Sequence, residues 1–340
     1  RLTIQSEQSL TASLGVDQVV RLKRLLVRTV IVSLAFELAG AAVLAVRFWG
    51  APGVGSAGRA VYAGLFHAVS AFCNAGLSLF PDSLVQFRSD PVVLGAVSAL
   101  IVLGGLGFLV INELPGYFNR RRKGRLPLHV RITVLTTLVL LAAGWALTAL
   151  LEWKTTLAAL AWPDRLSCAL FHSVSSRTAG FSVVEMAESG HASRFVTMIL
   201  MFIGGSPGSA AGGIKTTTAA VLFFTMLSMV RGRRETVFRD RTLTYRVVKE
   251  ALSVFLLSLG AVGILYGLLL VSEAAALSAA RFSASALLFD TVSAFGTVGL
   301  SAGVPPAWAD PGKLIMIATM YIGRVGPLTM ALIVGLKDTR

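Results

Sequence analysis

The sequence predicts an all-α integral membrane protein built from tandem repeats, each with two spanning helices and a short re-entrant helix between them. Of its 340 residues, 55% are hydrophobic and 14% are charged, whereas soluble domains carry about 25% charged residues. The mean hydropathy of +0.75 agrees with this class. The apolar runs fall into two length classes, and one short sequence skeleton recurs three times. This composition excludes cytosolic enzymes and disordered proteins.

Six apolar runs are long enough to cross about 30 Å of hydrocarbon, which needs about 20 residues. These runs cover residues 28–48, 91–111, 130–151, 195–230, 247–271 and 313–336. Three further runs are too short to cross, and each stops at a glycine-containing tetrapeptide; they cover residues 61–73, 166–176 and 284–295. Short runs of this kind are typical of re-entrant helices, which enter the bilayer and turn back.

A glycine-rich loop interrupts the fourth long run. It consists of Gly204, Gly205, Ser206, Pro207, Gly208, Ser209, Ala210, Ala211, Gly212 and Gly213. Irregular backbone at membrane depth is tolerated only where it lines a cavity or is buried in protein. We therefore expect this loop to lie inside the molecule.

Positive charge indicates the orientation. The net charge is +14, and 14 of the 31 Lys and Arg residues lie in three clusters, at residues 21–28, 120–125 and 231–241. These clusters lie on the same side of the membrane if each repeat crosses it outward, enters it again with the short helix and crosses back. The positive-inside rule assigns that side to the cytoplasm. Lipid headgroups account for the charge as partners, and nucleic acid is not expected because no recognition module is present. Cys73 and Cys168 form neither a disulfide framework nor a metal site.

The internal repeat joins the skeleton Phe-x-x-Val-Ser to a closing glycine. Its copies cover residues 66–77, 171–181 and 289–300, and the second copy is one residue shorter. Each copy lies between two spanning runs. The chain therefore divides into a cytoplasmic connector and three repeats, at residues 1–27, 28–119, 120–240 and 241–340.

The repeated glycine predicts a cation filter. A dehydrated cation needs oxygen ligands in place of water, and rings of backbone carbonyls supply them. Glycine permits the unusual backbone angles of such a strand, and the negative dipole end of a short helix favours a cation nearby. The predicted filter residues are Asn74, Ala75, Gly76, Thr178, Ala179, Gly180, Thr297, Val298 and Gly299. Close helix packing would explain one such copy, whereas three copies in register favour a filter.

A closed ring around a central pore needs more than these copies, because three repeats are one short of fourfold pseudosymmetry. We therefore expect a further repeat upstream of Arg1. A pore of three repeats is the alternative.

These residues resemble the Trk/Ktr/HKT superfamily of potassium transporters, most closely the bacterial KtrB subunits. The resemblance rests on three features: the three copies of the internal repeat with their closing glycines, the loop at residues 204–213 with its continuation at 214–218, and residues 323–327. It covers essentially the whole chain. It implies a potassium-channel-like pseudo-fourfold pore in which the three repeats are the second, third and fourth, with one filter glycine per repeat and a gate formed by the loop.

The same resemblance implies the ion and the partners. Potassium is the transported ion, two chains form a homodimer with one pore each, and a cytosolic ring of nucleotide-binding, KtrA-like subunits regulates the pore. Whether sodium activates transport or is co-transported stays open. No organic cofactor is expected.

Three basic residues at membrane depth have two interpretations each. Arg324 matches a family arginine that reaches toward the gate; from the residues alone it faces either a watery pore or a carboxylate, because a charge in lipid is costly. The candidate carboxylates are Glu37 and Glu113. Lys215 either adds charge near the ion path or marks the cytoplasmic end of a half-helix. Arg177 either tethers the filter from behind or shapes cation access from outside.

Asp290 is expected to cap the N-terminus of the third re-entrant helix. His67 and His172 stand at the matching position of the other two copies. We therefore expect all three side chains to have structural roles.

Rival functions fit the residues less well. Residues 204–208 satisfy the GxSxG pattern of hydrolases, but no histidine follows Ser206. A phosphate-binding loop is excluded because Ile214 separates Gly213 from Lys215. An organic-solute transporter would use broken helices but needs no filter. We predict a non-enzymatic, ion-conducting subunit of a potassium uptake system in the bacterial inner membrane; a sodium-selective or potassium/sodium co-transporting protein is the main alternative.

Overall fold

The structure, a computed structural model, describes residues 16–118, 127–233, 235–238, 241–304 and 308–326. Its helices are α1 (Val16–Phe48), α2 (Ala57–Phe72), α3 (Pro91–Leu106), α4 (Phe108–Phe118), α5 (Leu128–Glu152), α6 (Trp162–Ser175), α7 (His191–Phe202), α8 (Thr216–Val230), α9 (Tyr245–Ser272), α10 (Ala274–Ser278), α11 (Ala284–Gly296) and α12 (Asp310–Val325). Between α8 and α9, β1 (Val237–Phe238) and β2 (Arg241–Thr242) pair antiparallel. The predicted all-α membrane class is confirmed. Most of the connector, the basic cluster at residues 120–125 and the last run beyond residue 326 lie outside the described residues.

The first helix of each repeat is a continuous span. Three described helices are long and apolar enough to cross a membrane, namely Leu26–Phe48, Leu128–Glu152 and Tyr245–Ser272. At most 22% of the residues in their most apolar windows are buried. Most residues of these windows are therefore not buried within the described part of the chain.

The re-entrant helices are α2, α6 and α11, and they lie where the three short runs predict them. Ser56 caps α2 by accepting from the backbone N–H of Arg59, and Ser283 caps α11 by accepting from that of Ala286 at 3.1 Å. Helix α6 has Pro163 in its first turn instead, where the missing N–H is harmless. These helices form much of the buried core, with Phe171 and Phe289 fully enclosed.

The second helix of the first two repeats is broken. A single span over residues 91–111 was predicted, and this is wrong: α3 ends at Leu106 and Gly107, at a φ of +81°, separates it from α4. A methyl group on Gly107 would lie 2.7 Å from the carbonyl oxygen of Pro207, so the break brings α3 and α4 against the glycine-rich loop. The run at 195–230 is split by that loop, as expected. Helix α12 ends similarly before Gly326, which has a φ of +90°.

Two glycines let the second helices approach the re-entrant helices backbone to backbone. A methyl group on Gly104 would overlap the carbonyl oxygen of Phe72, at the end of α2. A methyl group on Gly323 would overlap that of Phe295, near the end of α11. Both glycines stand three residues before the positive-φ glycine, Gly107 or Gly326, at which the helix ends. The first and third repeats therefore pack by the same device.

Buried carboxylates join the first helix of a repeat to the second. Glu152, at the end of α5, accepts hydrogen bonds from the backbone N–H of Gly190 at 3.0 Å and from Thr155 and Thr156. Glu273, after α9, accepts from the backbone N–H of Ala309 at 3.2 Å. Gly190 and Ala309 are the N-cap residues of α7 and α12. Each carboxylate thus satisfies an otherwise unpaired N–H at a helix start.

Replacing Glu152 with alanine is expected to lower the free energy of unfolding by about 1.5–3 kcal/mol, because hydrogen bonds to a buried charged group are lost. The measurement is thermal unfolding of the purified protein in detergent. Glu250→Ala is the matched control, since Glu250 forms an exposed ion pair with Arg246 and such pairs contribute little. An equal shift in both variants would contradict the assigned role of Glu152.

Candidate ion pathway

The three predicted filter segments share one unusual backbone course. We call residues 74–76, 178–180 and 297–299 glycine segments 1, 2 and 3. Their first residues Asn74, Thr178 and Thr297 have φ of +51°, +72° and +53°, a left-handed conformation that is uncommon outside glycine. Their glycines have φ of +68°, +82° and +96°. The repeat read from the sequence is therefore also a repeat of backbone geometry.

The serine of the Phe-x-x-Val-Ser skeleton holds each glycine segment from behind. The hydroxyl of Ser70 donates to the carbonyl of Leu77 at 2.8 Å, and that of Ser175 donates to the carbonyl of Phe181 at 2.5 Å. In the third repeat the hydroxyl of Ser293 accepts from the backbone N–H of Gly299 at 3.2 Å. One residue type thus supports all three segments, each at its glycine or the residue after it.

The glycine segments lie side by side. A methyl group on Gly76 would overlap the carbonyl oxygen of Ala179, and one on Gly180 would overlap that of Val298. A methyl group on Gly299 would find Gly180 Cα as its nearest neighbour, at 3.8 Å. The predicted filter residues of different repeats therefore come together, with the carbonyl oxygen of one segment against the glycine of the next.

A cavity of about 510 Å³ opens above the three segments. The glycines Gly76, Gly180 and Gly299 form part of its lining, together with the carboxylates of Asp82 and Glu185. None of the described residues that line it is basic. An acidic cleft of this kind raises the local concentration of cations.

Asp290 does not cap a helix, so the prediction for this residue is wrong. It lies inside α11, which Ser283 caps, and its carboxylate accepts from Ser301 Oγ and from the backbone N–H of Ala302, both at 2.8 Å. His67 Nε2 lies 3.0 Å from Ser78 Oγ at the matching place in the first repeat. Each side chain holds the chain just beyond its closing glycine, which is the structural role expected.

His172 also makes a structural contact, but to a different element. Its Nε2 lies 2.9 Å from Thr197 Oγ1, in the middle of α7. In the second repeat this position therefore joins the re-entrant helix to the second helix.

The glycine-rich loop, residues 204–213, lies directly below the glycine segments, on the side away from the cavity. Its two ends pair, since Gly204 N donates to the carbonyl of Ile214 at 2.9 Å. A methyl group on Gly204 would lie 3.2 Å from Thr178 Cγ2, and one on Gly212 would overlap Thr297 Oγ1. The loop thus contacts the first residues of glycine segments 2 and 3.

The break in the first repeat also contacts the loop. Ser206 N donates to the carbonyl of Gly105 at 3.0 Å, and Phe108 N donates to that of Gly208 at 3.1 Å. The groups that α3 and α4 leave unpaired at Gly107 are therefore partly satisfied by the loop. All three repeats contribute to the loop's surroundings.

Basic side chains hold three carbonyl groups of the loop. Arg177 Nη2 donates to Gly204 O at 2.8 Å, Lys215 Nζ to Ala211 O at 2.6 Å, and Arg324 Nη1 to Ala210 O. The contact of Arg324 favours the interpretation that it reaches the loop. The described acceptor of Arg177 belongs to the loop and not to a glycine segment, so the choice between its two interpretations stays open.

Sequence reasoning missed several of these residues. The three serines belong to the repeat skeleton, so their recurrence was a usable signal. Gly105 carried none, because a glycine in an apolar helix usually serves close packing. The hydroxyl of Thr216, which donates to Ser206 at 3.2 Å, stood among three consecutive threonines with nothing to distinguish it.

Comparison with known proteins agrees with this architecture. The chain is 36% identical to the Ktr system potassium uptake protein B of Vibrio alginolyticus, over 97% of this chain and 71% of that protein. It is 34% identical to the potassium/sodium uptake protein NtpJ of Enterococcus hirae, over 97% and 72%. The crystal structure of the potassium transporter TrkH from Vibrio parahaemolyticus superposes with a TM-score of 0.68 at 18% identity. That match covers 89% of this chain and 63% of the TrkH chain.

The family comparison covers nearly the whole sequence. Residues 4–337 match the TrkH family model, described as a cation transport protein. This range includes all three glycine segments and the glycine-rich loop. The chain therefore belongs to the TrkH family of cation transport proteins.

Proposed function

We propose that this chain is the ion-conducting subunit of a potassium uptake system in the bacterial inner membrane. The observation that carries the proposal is the convergence of three glycine segments, with one backbone course, beneath a single acidic cavity. Relatives named as potassium uptake proteins support the choice of ion. No covalent chemistry is involved.

In this proposal a potassium ion loses its water on the carbonyl oxygens of the glycine segments. It collects in the cavity beside Asp82 and Glu185 and then binds carbonyls of the residues Asn74, Ala75, Thr178, Ala179, Thr297 and Val298, while the closing glycines shape each segment. The C-terminal ends of α2, α6 and α11 point their negative dipole toward the same place. The membrane potential drives the ion inward, with about 2.3 kcal/mol per charge for each 100 mV.

The ring of carbonyls has one open side in this proposal. A second cavity, of about 560 Å³, is bounded by Ala75 of segment 1, by segment 3, and by Met316 and Met320 of α12. We propose that a fourth glycine segment occupies this side, so that the three described repeats are the second, third and fourth of a pseudo-fourfold pore. A homodimer would then contain two such pores.

The glycine-rich loop would be the gate. Lys215 and Arg324 bring two positive charges to adjacent loop carbonyls, directly below the point where a cation would leave segment 3. In a low-dielectric interior these charges repel a cation strongly. A cytosolic, KtrA-like ring that senses a nucleotide would open the path by moving the loop; the description of relatives as parts of a Ktr system supports a partner of this kind.

A second candidate is combined transport of potassium and sodium. The relative from Enterococcus hirae is named as a potassium/sodium uptake protein. The same carbonyl ligands would bind either ion, since selectivity depends on the number and field strength of the ligands. Sodium would then be a substrate or an activator.

The test is flux of rubidium, as a potassium substitute, and of sodium into liposomes that contain the complete gene product. Rubidium flux with little sodium flux, together with weaker selectivity in Gly299→Ser, is the expected result. Comparable flux of both ions in the wild type would favour the potassium/sodium candidate. No cation flux, even with the loop shortened, would overturn the proposal in favour of an organic-solute carrier.

A further inference from the structure

Arg177 is a buried cation that the proposed permeation path does not use. The residue is 7% exposed, and no described carboxylate forms an ion pair with it. It follows the last residue of α6 by two positions, where the helix dipole partly stabilises its charge. An ionisable group kept at membrane depth is costly and usually has a function.

The two ends of the Arg177 guanidinium have different surroundings. Nη2 donates to the carbonyl of Gly204, the first residue of the glycine-rich loop. Nη1 has no partner among the described residues, and the same holds for Thr137 Oγ1 on α5. Both residues line a cavity of about 20 Å³ that Gly105 and Gly205 also border. This space suits one water molecule, which needs two or more polar partners.

The first half of the loop, residues 204–208, is bonded to groups in three other parts of the molecule. Its described partners outside the loop are Arg177, the backbone of Gly105, Phe108 and Ile214, and Thr216 at the start of α8. Both the backbone and the side chains of these partners take part. Ser206 is fully buried.

The second half, residues 209–213, is held differently. Its described hydrogen bonds to groups beyond residue 213 come from two side chains, Lys215 and Arg324. The backbone N–H groups of Ser209 and Ala211 bond only within the loop. Arg324 is itself exposed. Ala211 and Gly212 are buried, and a methyl group on Gly212 would overlap Thr297 Oγ1. This half is therefore held by packing against glycine segment 3 and by two side chains, without a described backbone hydrogen bond to the rest of the molecule.

We infer that Arg177 is a positioning residue that fixes the first half of the loop against glycine segment 2, with one water bridging it to Thr137, so that the gate opens by displacement of residues 209–213 alone. This inference rests on the proposed function, because it assigns the moving part of the proposed gate. The inference also explains why a charge is buried beside Thr178, because Arg177 must keep residues 204–208 in place while residues 209–213 move.

The test is hydrogen–deuterium exchange of the complete gene product in lipid nanodiscs, followed by mass spectrometry of loop peptides. In the wild type, residues 204–208 are expected to exchange more slowly than residues 209–213. Arg177→Met should speed exchange of the first half by about tenfold, the effect of one charge-assisted hydrogen bond, and Arg177→Lys should restore part of the protection. Arg324→Gln should speed only the second half.

Two further variants keep the result interpretable. Arg165→Met is the matched control, because Arg165 also donates to backbone carbonyls of the second repeat, at Leu160 and Ala158; it should leave loop exchange unchanged. Thr137→Val removes the hydroxyl that would bind the water together with Arg177 Nη1, without changing the shape of the side chain, and should speed exchange of the first half less than Arg177→Met. This variant and Arg177→Lys carry the test if Arg177→Met does not fold.

Equal exchange of the two halves in the wild type would overturn the inference. So would unchanged exchange of residues 204–208 in both Arg177→Lys and Thr137→Val. The proposed function is judged separately by rubidium flux, since exchange is measured without transport. Selective rubidium flux together with fast hydrogen exchange of residues 204–208 would therefore reject the role of Arg177 and leave the proposed function standing.

Discussion

Gly180→Ala is expected to abolish selective uptake of rubidium. The added methyl group would overlap the carbonyl oxygen of Val298, a proposed ion ligand, and alanine is strained at the φ of +82° found here. Losing one carbonyl ligand to a charged group removes about 1.5–3 kcal/mol. We therefore expect rubidium flux to fall at least about tenfold, or the preference over sodium to collapse.

A graded series separates the filter from general packing. Gly76→Ala should match Gly180→Ala, because its methyl group would overlap the carbonyl of Ala179. Gly299→Ala should be milder, since its methyl group finds no atom nearer than 3.8 Å. Gly263→Ala in α9 is the control, with nothing within 4 Å, and should transport normally. Similar losses at all four positions would argue against a filter.

Deleting residues 209–212 is expected to raise rubidium flux at least about tenfold in the absence of any stimulus, because it removes the loop carbonyls that hold two positive charges below the glycine segments. Flux into liposomes without a cytosolic partner is the measurement. Selectivity should change little, since segments 1–3 keep their serine tethers.

Single variants indicate how the loop closes the path. Arg324→Gln should raise flux less than the deletion, because Lys215 still holds Ala211. Arg246→Gln is the control, an exposed arginine paired with Glu250 outside the pore. A deletion variant that conducts no more than the wild type would show that the loop is not a gate.

Much of this fold follows from hydropathy and repetition. The lengths of the apolar runs predicted the three continuous spans and the three re-entrant helices, because lipid forces backbone hydrogen bonds to be satisfied within each helix. The break at Gly107 was not predicted. Gly104, Gly105 and Gly107 stand in one apolar run, and only Gly107 has a positive φ, a property that depends on the loop packed against it.

The glycine segments and the loop were predictable because each carries a local signal, a closing glycine or a run of small residues. Partners across the chain were not. Arg177 lies beside segment 2 in sequence, yet its acceptor Gly204 is 27 residues away. Asp290 was misjudged because a carboxylate before an apolar stretch favours a helix start, whereas tertiary contacts with Ser301 and Ala302 bury it inside α11.

The close contacts between glycine segments follow the order of the chain. The carbonyl oxygen of Ala179 in segment 2 lies against Gly76, and that of Val298 in segment 3 lies against Gly180. The glycines of the first two repeats are therefore constrained by the backbone of the following repeat as well as by the serine of their own repeat. A side chain at Gly76 or Gly180 would therefore displace the next repeat as well as its own. A substitution at either glycine is a change to two repeats at once.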